Sequence, residues 1–191
     1  MRRLCRWIAH QTGWTFDHQL PVVKRYVLIG YPHTSNWDFI IAMLFKGAVG
    51  LPFNWIAKHS LFIWPLGPLM RAMGGIGVNR SQTKGFIDAL ADEFRQREQL
   101  VLGITPEGTR SHTEYLRSGF YHLALSANIP VVLAYICFKT KRLGFGPTLY
   151  LSGDVDADLK QIREFYADKV GCIPANAGEI RFRPVNDKPD R

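Results

Sequence analysis

The chain has 191 residues, a length that fits one domain. With 47% hydrophobic and 21% charged residues it is too apolar to be disordered, and 24 Lys and Arg against 16 Asp and Glu leave a net charge of +8. A basic chain of this kind favours an anionic partner, such as nucleic acid, an anionic membrane surface, or a phosphorylated or coenzyme A-like substrate. Three widely spaced cysteines, at positions 5, 137 and 172, indicate a reducing compartment rather than a disulfide scaffold or zinc site.

The first 20 residues form a basic and aromatic segment ahead of the main domain, which we place at residues 21–185. Polar residues break the stretch LCRWIAHQTGW before an apolar region of signal-peptide length forms. Trp7 and Trp14 beside Arg2, Arg3 and Arg6 suit the headgroup boundary of a bilayer, and an N-terminal helix packed on its own domain explains the pattern equally well. No apolar run reaches the 18 or so residues of a membrane span, so the sequence predicts no transmembrane helix.

From residue 22 onwards, apolar runs alternate with helical patterns, which is typical of an α/β sheet. The patterns predict strands at residues 22–30, 53–57, 74–78, 100–105, 131–138, 146–153 and 179–183. They predict helices at residues 35–48, 83–98, 120–128 and 156–170, with a proline-broken apolar stretch at residues 61–73. Runs such as LVLGIT are apolar on both faces, so we expect a single α/β domain with a mostly parallel central sheet covered by helices on both faces. Ligands bind such sheets beyond the carboxyl ends of the strands.

The loop after the first predicted strand, YPHTSNWD, contains a histidine and an aspartate that can act together. With His33 in the loop and Asp38 in the first helical turn, the carboxylate can reach one ring nitrogen and leave the other free, as in a general base with an orienting group. Imidazole suits this work because its pKa in water, about 6.5, lies near neutral pH. Asp38 also follows Ser35 at the spacing of a capping box, so a purely structural role for Asp38 stays open.

A second polar loop, TPEGTRS, follows the strand predicted to end at residue 105. Gly108 permits close backbone approach to a ligand, and Arg110 can hold a phosphate through two parallel hydrogen bonds. Glu107 would take a hydroxyl or hold the arginine, and a surface turn with an internal Glu–Arg pair is the alternative. The block GGIGVNRS lacks the nucleotide-binding patterns, but Arg80 offers a second phosphate contact.

Taken in order, these blocks resemble the glycerolipid acyltransferase family, which includes bacterial 1-acyl-sn-glycerol-3-phosphate acyltransferases. HTSNWD is similar to the family's His-x4-Asp box, GGIGVNR to its glycine-rich block ending in arginine, and PEGTRS to its Glu-Gly-Thr-Arg block. IPVV, at residues 129–132, resembles the family's short proline-containing strand, and the likeness spans residues 26–135. Asn79 stands where the family often has aspartate, and Thr105 where an aromatic residue is common, so the acceptor stays open.

The resemblance implies transfer of a fatty acyl group from acyl-CoA or acyl-carrier-protein to a hydroxyl of a lysophospholipid, with no metal or other cofactor. His33 and Asp38 are then the catalytic pair, and backbone N–H groups near Ser35 are reasonable oxyanion donors. The implied substrate-binding residues are Lys58, Arg80, Glu107, Gly108, Thr109 and Arg110. Because both substrates carry acyl chains, we expect a peripheral protein on an anionic membrane surface, at the cytoplasmic side of the cell membrane.

Three alternatives stay open at the level of sequence. Residues 61–70, LFIWPLGPLM, either enter lipid or line an acyl groove, or they form an ordinary core segment. The acceptor is a 1-acylglycerol-3-phosphate-like lipid or a different lyso-lipid, such as one with an amino-acid headgroup, which turnover of a phosphate-free lyso-lipid would indicate. A basic nucleic-acid-binding module would also give the charge of +8, although no recognition motif is present and we expect no nucleic-acid partner.

Overall fold

The computed structural model describes residues 2–17, 19–78 and 85–184, leaving aside the side chains of Lys58 and Val78. The α-helices in these ranges are Arg2–Gln11 (α1), Asn36–Val49 (α2), Gly67–Ala72 (α3), Phe86–Gln96 (α4), Gly119–Ala127 (α5) and Val155–Tyr166 (α6). The strands are Thr15–Phe16 (β1), Arg25–Gly30 (β2), Asn54–Lys58 (β3), Gly75–Val78 (β4), Leu100–Ile104 (β5), Val131–Cys137 (β6) and Arg142–Leu149 (β7). Two short 3₁₀ helices lie at His59–Phe62 and Pro174–Asn176.

The seven strands form one sheet in the order β1-β7-β6-β2-β5-β3-β4. Neighbouring strands are parallel except β6 and β7, which are antiparallel. β2 and β5 run side by side, with Arg25 opposite Leu100 and Ile29 opposite Ile104. The loops that leave these two strands therefore start next to each other. The predicted fold class, a single α/β domain with a mostly parallel sheet, is confirmed.

Both faces of the sheet are covered, which explains strands that are apolar on both sides. Val27 and Ile29 of β2 face one core, which α4, α5 and α6 complete with Phe94, Phe120 and Ile162. Alternate strand residues face the opposite core, which α2 and α3 cover; its members include Tyr26, Leu28, Val101, Phe39, Met43 and Met70. α1 packs on α2 in a third cluster that contains Ala9, Ile41 and Phe45. Thus α1, α2 and α3 lie on one side of the sheet.

Local signals set the ends of α2. Ser35 and Asp38 form the predicted capping box, in which each side chain accepts a hydrogen bond from a backbone N–H of the first turn. The helix ends at Gly50, whose φ of 75° is the left-handed conformation that glycine adopts without strain. The start of the helix predicted at residue 83 lies outside the described residues, within which α4 begins at Phe86.

Two sequence predictions near the C-terminus are wrong. Residues 179–183 do not form a strand; one isolated bridge joins Phe182 to Leu116, because the Phe182 ring packs against Phe120 and Tyr121 instead of entering the sheet. The strand predicted at residues 146–153 is β7, which starts earlier, at Arg142. Antiparallel pairing with β6 overrides the low strand preference of Gly144 and Gly146 there.

The proline-broken stretch after β3 folds as the 3₁₀ helix His59–Phe62 followed by α3, with Pro68 in its first turn, where a missing N–H costs no hydrogen bond. The sequence also missed β1, a two-residue strand that pairs with β7. Among the described helices, none combines the length and the apolar character needed to cross a bilayer.

Candidate active site

Two loops that leave the adjacent strands β2 and β5 bring the predicted catalytic pair and Glu107 together. The ring nitrogen Nδ1 of His33 lies 3.1 Å from Oδ2 of Asp38. The backbone N–H of the same histidine donates a 2.6 Å hydrogen bond to Oε2 of Glu107, from the loop after β5. The parallel register of β2 and β5 is the reason these residues, 74 positions apart, meet.

Asp38 makes both contacts that its sequence position allowed. Its Oδ2 accepts hydrogen bonds from the backbone N–H groups of Thr34 at 2.7 Å and Ser35 at 2.9 Å, and the same oxygen faces His33. The cap and the orienting carboxylate are therefore one group, fixed by the first turn of α2. Asp38 is only 3% exposed, and its second oxygen, Oδ1, has no partner within the described ranges.

The helix start offers fewer free amides than the sequence suggested. The N–H groups of Thr34 and Ser35 are bound to Asp38, and that of Trp37 donates to the Ser35 hydroxyl at 3.2 Å. These three groups are already satisfied, so they could stabilise an oxyanion only after leaving their present partners.

Glu107 faces inward, away from the position expected of a substrate ligand. It is 2% exposed, and its two oxygens accept hydrogen bonds from the N–H groups of His33 and Gly178. Burial raises the pKa of this carboxyl to about 7; the negative charge of Asp38 adds to the rise, and the two backbone hydrogen bonds oppose it. No ion pair joins Glu107 to Arg110 among the described residues, so the alternative of an internal Glu–Arg pair is not realised there. The carboxylate binds two backbone N–H groups instead.

A segment that follows α6 crosses over the loop between β2 and α2, residues 31–35, which we call the histidine loop. We call residues 171–178 the strap. The N–H of Ile173 donates to Oγ1 of the buried Thr34 at 3.1 Å, and the Tyr31 hydroxyl donates to the Gly178 carbonyl at 2.6 Å. The Glu107 contact ends on the same glycine. The strap thus ties both flanks of His33 to the loop after β5.

An apolar cavity of about 300 Å³ opens beside the pair, a volume at the lower end for small-molecule sites. His33, Asp38 and Arg110 lie in its wall. The remaining lining is mainly apolar and comes largely from α2, β3, the 3₁₀ helix His59–Phe62, α3 and β6. It includes Phe39, Met43, Trp55, Leu61, Met70 and Ile136. The cavity therefore places an apolar space next to a histidine, a carboxylate and a guanidinium.

The other predicted substrate-binding residues are placed unequally. Arg110 and Thr109 are exposed, and Thr109 Oγ1 accepts a hydrogen bond from the N–H of Ser111. Gly108 has a φ of 64°, a conformation in which a side chain would be strained. Lys58 is the last residue of β3, with a side chain outside the description, and Arg80 lies outside the described residues altogether.

Sequence reasoning missed Tyr31, Thr34 and Gly178. Their contacts join residues more than 130 positions apart, except for the bond from Gly178 to Glu107, and no local pattern encodes such pairings. The only local hint was that Tyr31 and Thr34 flank His33.

Comparison with known proteins gives a family match and a structural likeness. A family model described as Acyltransferase matches residues 12–136, a range that contains both site loops and ends before the strap. The chain is also similar to the crystal structure of the 1-acyl-sn-glycerophosphate (LPA) acyltransferase PlsC from Thermotoga maritima, with 13% sequence identity and a TM-score of 0.56. That likeness covers 89% of this chain and 79% of the PlsC chain, and at this identity it shows a shared fold. No curated protein matches the chain.

Proposed function

The chain belongs to the Acyltransferase family, as its ordered motifs predicted, and on that premise we propose that it transfers a fatty acyl group from a thioester donor to a hydroxyl of a lysophospholipid. The observation that carries the proposal is the contact between His33 and Asp38 at the wall of an apolar cavity. The products are a diacyl lipid and the free thiol of coenzyme A or acyl-carrier-protein.

His33 serves as the general base in this proposal. Asp38 holds Nδ1, which leaves Nε2 to take the proton of the acceptor hydroxyl as its oxygen attacks the thioester carbonyl carbon. The tetrahedral intermediate then collapses, the C–S bond breaks, and the imidazolium returns its proton to the departing sulfur. A thioester is already activated, so the reaction needs no serine or cysteine nucleophile and no metal or other cofactor.

The apolar cavity binds the acyl chain, and the polar residues at its wall bind the acceptor headgroup. The acyl chain occupies the apolar space lined by residues such as Met43 and Trp55, where burial removes its methylene groups from water. Arg110, in the cavity wall, binds the acceptor phosphate through paired hydrogen bonds. Lys58 and Arg80 add positive charge for the same phosphate, and Gly108 and Thr109 shape the turn that presents Arg110. Glu107 acts as a positioning residue for His33.

A 1-acylglycerol-3-phosphate-like lipid is the acceptor that this arrangement fits best, because a guanidinium beside the catalytic pair suits a phosphate close to the reacting hydroxyl. The lysophospholipid acceptor and the diacyl product partition into bilayers, so we place the enzyme as a peripheral protein on the cytoplasmic side of the cell membrane, at an anionic surface.

The decisive experiment is a transfer assay with the purified chain. Acyl-CoA and acyl-carrier-protein of several chain lengths are offered with three acceptors in detergent: 1-acylglycerol-3-phosphate, a lyso-lipid with an amino-acid headgroup, and a lyso-lipid without phosphate. We expect a diacyl product with the phosphate acceptor and release of one thiol per ester formed. Turnover of the phosphate-free acceptor at the same rate would redirect the proposal to a different acyltransferase, and no transfer from either donor would overturn it.

A further inference from the structure

The segment from the 3₁₀ helix His59–Phe62 into α3 exposes a concentration of apolar side chains. Five of them, each at least 40% exposed, stand within nine residues, and Trp64 is exposed over 84% of its surface. We call this set the apolar ridge: Leu61, Ile63, Trp64, Leu66 and Leu69. An exposed apolar group of this size marks an interaction site rather than an ordinary surface.

The apolar ridge adjoins the cavity of the candidate active site. Leu61 belongs to the ridge and also lines the cavity, and Met70, directly after the ridge, lines it as well. Phe62, within the segment, is buried and packs on Trp55 with ring centroids 5.8 Å apart, which anchors the segment to the sheet. An acyl chain that lies along the ridge thus reaches the cavity without crossing a polar surface.

The helices on the same side of the sheet as the ridge are basic. α1, α2, α3 and the 3₁₀ helix before α3 contain one acidic residue, Asp38, and it is buried. The same elements contain five cationic residues: Arg2, Arg3, Arg6, Lys46 and Arg71. On α1, Leu4 and Trp7 are more than half exposed beside the three arginines. Exposed tryptophan and leucine next to arginine fit the boundary between lipid headgroups and acyl chains.

We propose that the apolar ridge and the exposed face of α1 dock together on an anionic lipid bilayer, with the cavity mouth turned toward the lipid. The choice of lipid as the occupant rests on the proposed function, since a lysophospholipid acceptor comes from a bilayer, and on the charge of this side. Arginines of α1 contact the headgroup phosphates while the ridge enters the interface. The acceptor then moves from the bilayer into the cavity along the ridge.

Vesicle sedimentation with the full chain tests the apolar half of this docking surface. The vesicles contain phosphatidylcholine alone or phosphatidylcholine mixed with phosphatidylglycerol. We expect the double variant Trp64→Ser/Leu69→Ser to bind the mixed vesicles about tenfold more weakly or worse, as follows from losing two buried apolar side chains. Tyr150→Ser is the matched control, because Tyr150 is 69% exposed and follows β7, which three strands of the sheet separate from β3 and the ridge segment that follows it. It should bind like the unmodified chain.

A charge reversal tests the electrostatic half. Arg3→Glu should weaken binding to the mixed vesicles about 25-fold and leave the weak binding to phosphatidylcholine unchanged. Each unit of charge near an anionic surface contributes about fivefold, and the reversal changes the charge by two units. Lys160→Glu on α6 carries the same charge change on the other face of the sheet and should have little effect. Equal losses for Arg3→Glu and Lys160→Glu would show that net charge, not this surface, binds the vesicles.

Acyl transfer in detergent micelles separates this inference from the proposed function. We expect Trp64→Ser/Leu69→Ser to keep its micellar activity and its thermal midpoint while losing vesicle binding. Unchanged vesicle binding by this variant would overturn the docking surface and leave the acyl-transfer proposal standing. If the chain binds vesicles but transfers no acyl group, the acyl-transfer proposal is overturned and the docking surface stands. Failure to bind either vesicle, with self-association in sedimentation velocity that the double variant abolishes, would assign the ridge to a protein contact.

Discussion

The side chain of Glu107 holds the backbone of His33: Oε2 of the carboxylate lies 2.6 Å from the histidine N–H. Its other oxygen accepts from Gly178 at 3.1 Å, so one buried carboxylate joins the loop after β2, the loop after β5 and the strap. A hydrogen bond to a charged acceptor in a buried setting is among the stronger ones in proteins. Glu107 therefore fixes the backbone position of His33, while Asp38 fixes the orientation of its imidazole ring.

His33→Ala is expected to lower kcat for acyl transfer by a factor of about 10² to 10⁴, because the variant lacks a positioned general base. Single-turnover rates with saturating donor and acceptor measure the effect. His122→Ala is the control, since His122 is exposed on α5, on the other side of the sheet. A His33→Ala variant that is folded and keeps most of its rate would rule out the proposed base.

Arg110→Ala is expected to raise the KM for a phosphate-bearing acceptor with a smaller change in kcat, since the guanidinium binds a group whose bonds do not change during the transfer. The KM for a phosphate-free lyso-lipid, where turnover is measurable, should not change. Arg110→Lys keeps the charge but loses the paired hydrogen bonds. Its KM for the phosphate-bearing acceptor should lie between the values of the unmodified chain and Arg110→Ala. An unchanged KM for the phosphate acceptor would remove Arg110 from the binding site.

Thr34→Val tests the contact between the strap and the histidine loop. The change keeps the volume of this buried side chain but leaves the N–H of Ile173 without its acceptor, which costs about 1–3 kcal/mol. Urea unfolding measures the loss of stability. Thr34→Ser retains the hydroxyl and should recover most of it.

The same pair of variants also separates stability from positioning. If the strap positions His33, Thr34→Val lowers kcat more than it changes either KM at a temperature where the protein is fully folded, and Thr34→Ser restores kcat. Equal kcat values for the two variants would limit the strap to a structural role.

The parts of the fold that follow from local signals were predictable. Apolar runs gave β2 and β5, and the spacing of Ser35 and Asp38 gave the start of α2, because each signal is complete within a few residues. The ordered loop motifs gave the family for the same reason. The pairing of His33 with Asp38 also follows from the spacing, once a strand ends just before the loop.

The parts that depend on distant contacts were not predictable. The sequence around Glu107 does not show whether its carboxylate binds substrate or two backbone N–H groups. One of the two donors, Gly178, is 71 positions away. Apolar and charged side chains alternate in residues 179–183 as in a strand, but the Phe182 ring packs against Phe120 of α5. In both cases tertiary packing chose between two locally acceptable structures.

The raised pKa of Glu107 makes a prediction about stability and pH. Burial raises this pKa from 4.5 to about 7, so the folded chain binds more protons than the unfolded chain between those two values. Stability from this group is complete below about pH 4.5, decreases as pH rises through the window, and is lost above about pH 7. The expected decrease in the free energy of unfolding is on the order of 3 kcal/mol.

Urea unfolding at several pH values between 4.5 and 7 measures this dependence, with Glu107→Gln as the comparison. Glutamine presents one oxygen and one NH₂ to two backbone N–H donors, so the variant loses a hydrogen bond and is less stable at the acid end of the window. It has no carboxyl to ionise, however, so its stability falls less steeply with pH. The unmodified protein should therefore be more stable than the variant at the acid end of the window, and this advantage in the free energy of unfolding should shrink as pH rises. A constant difference across the window would mean that Glu107 ionises alike in the folded and unfolded chains, which is incompatible with a carboxylate buried between His33 and Gly178.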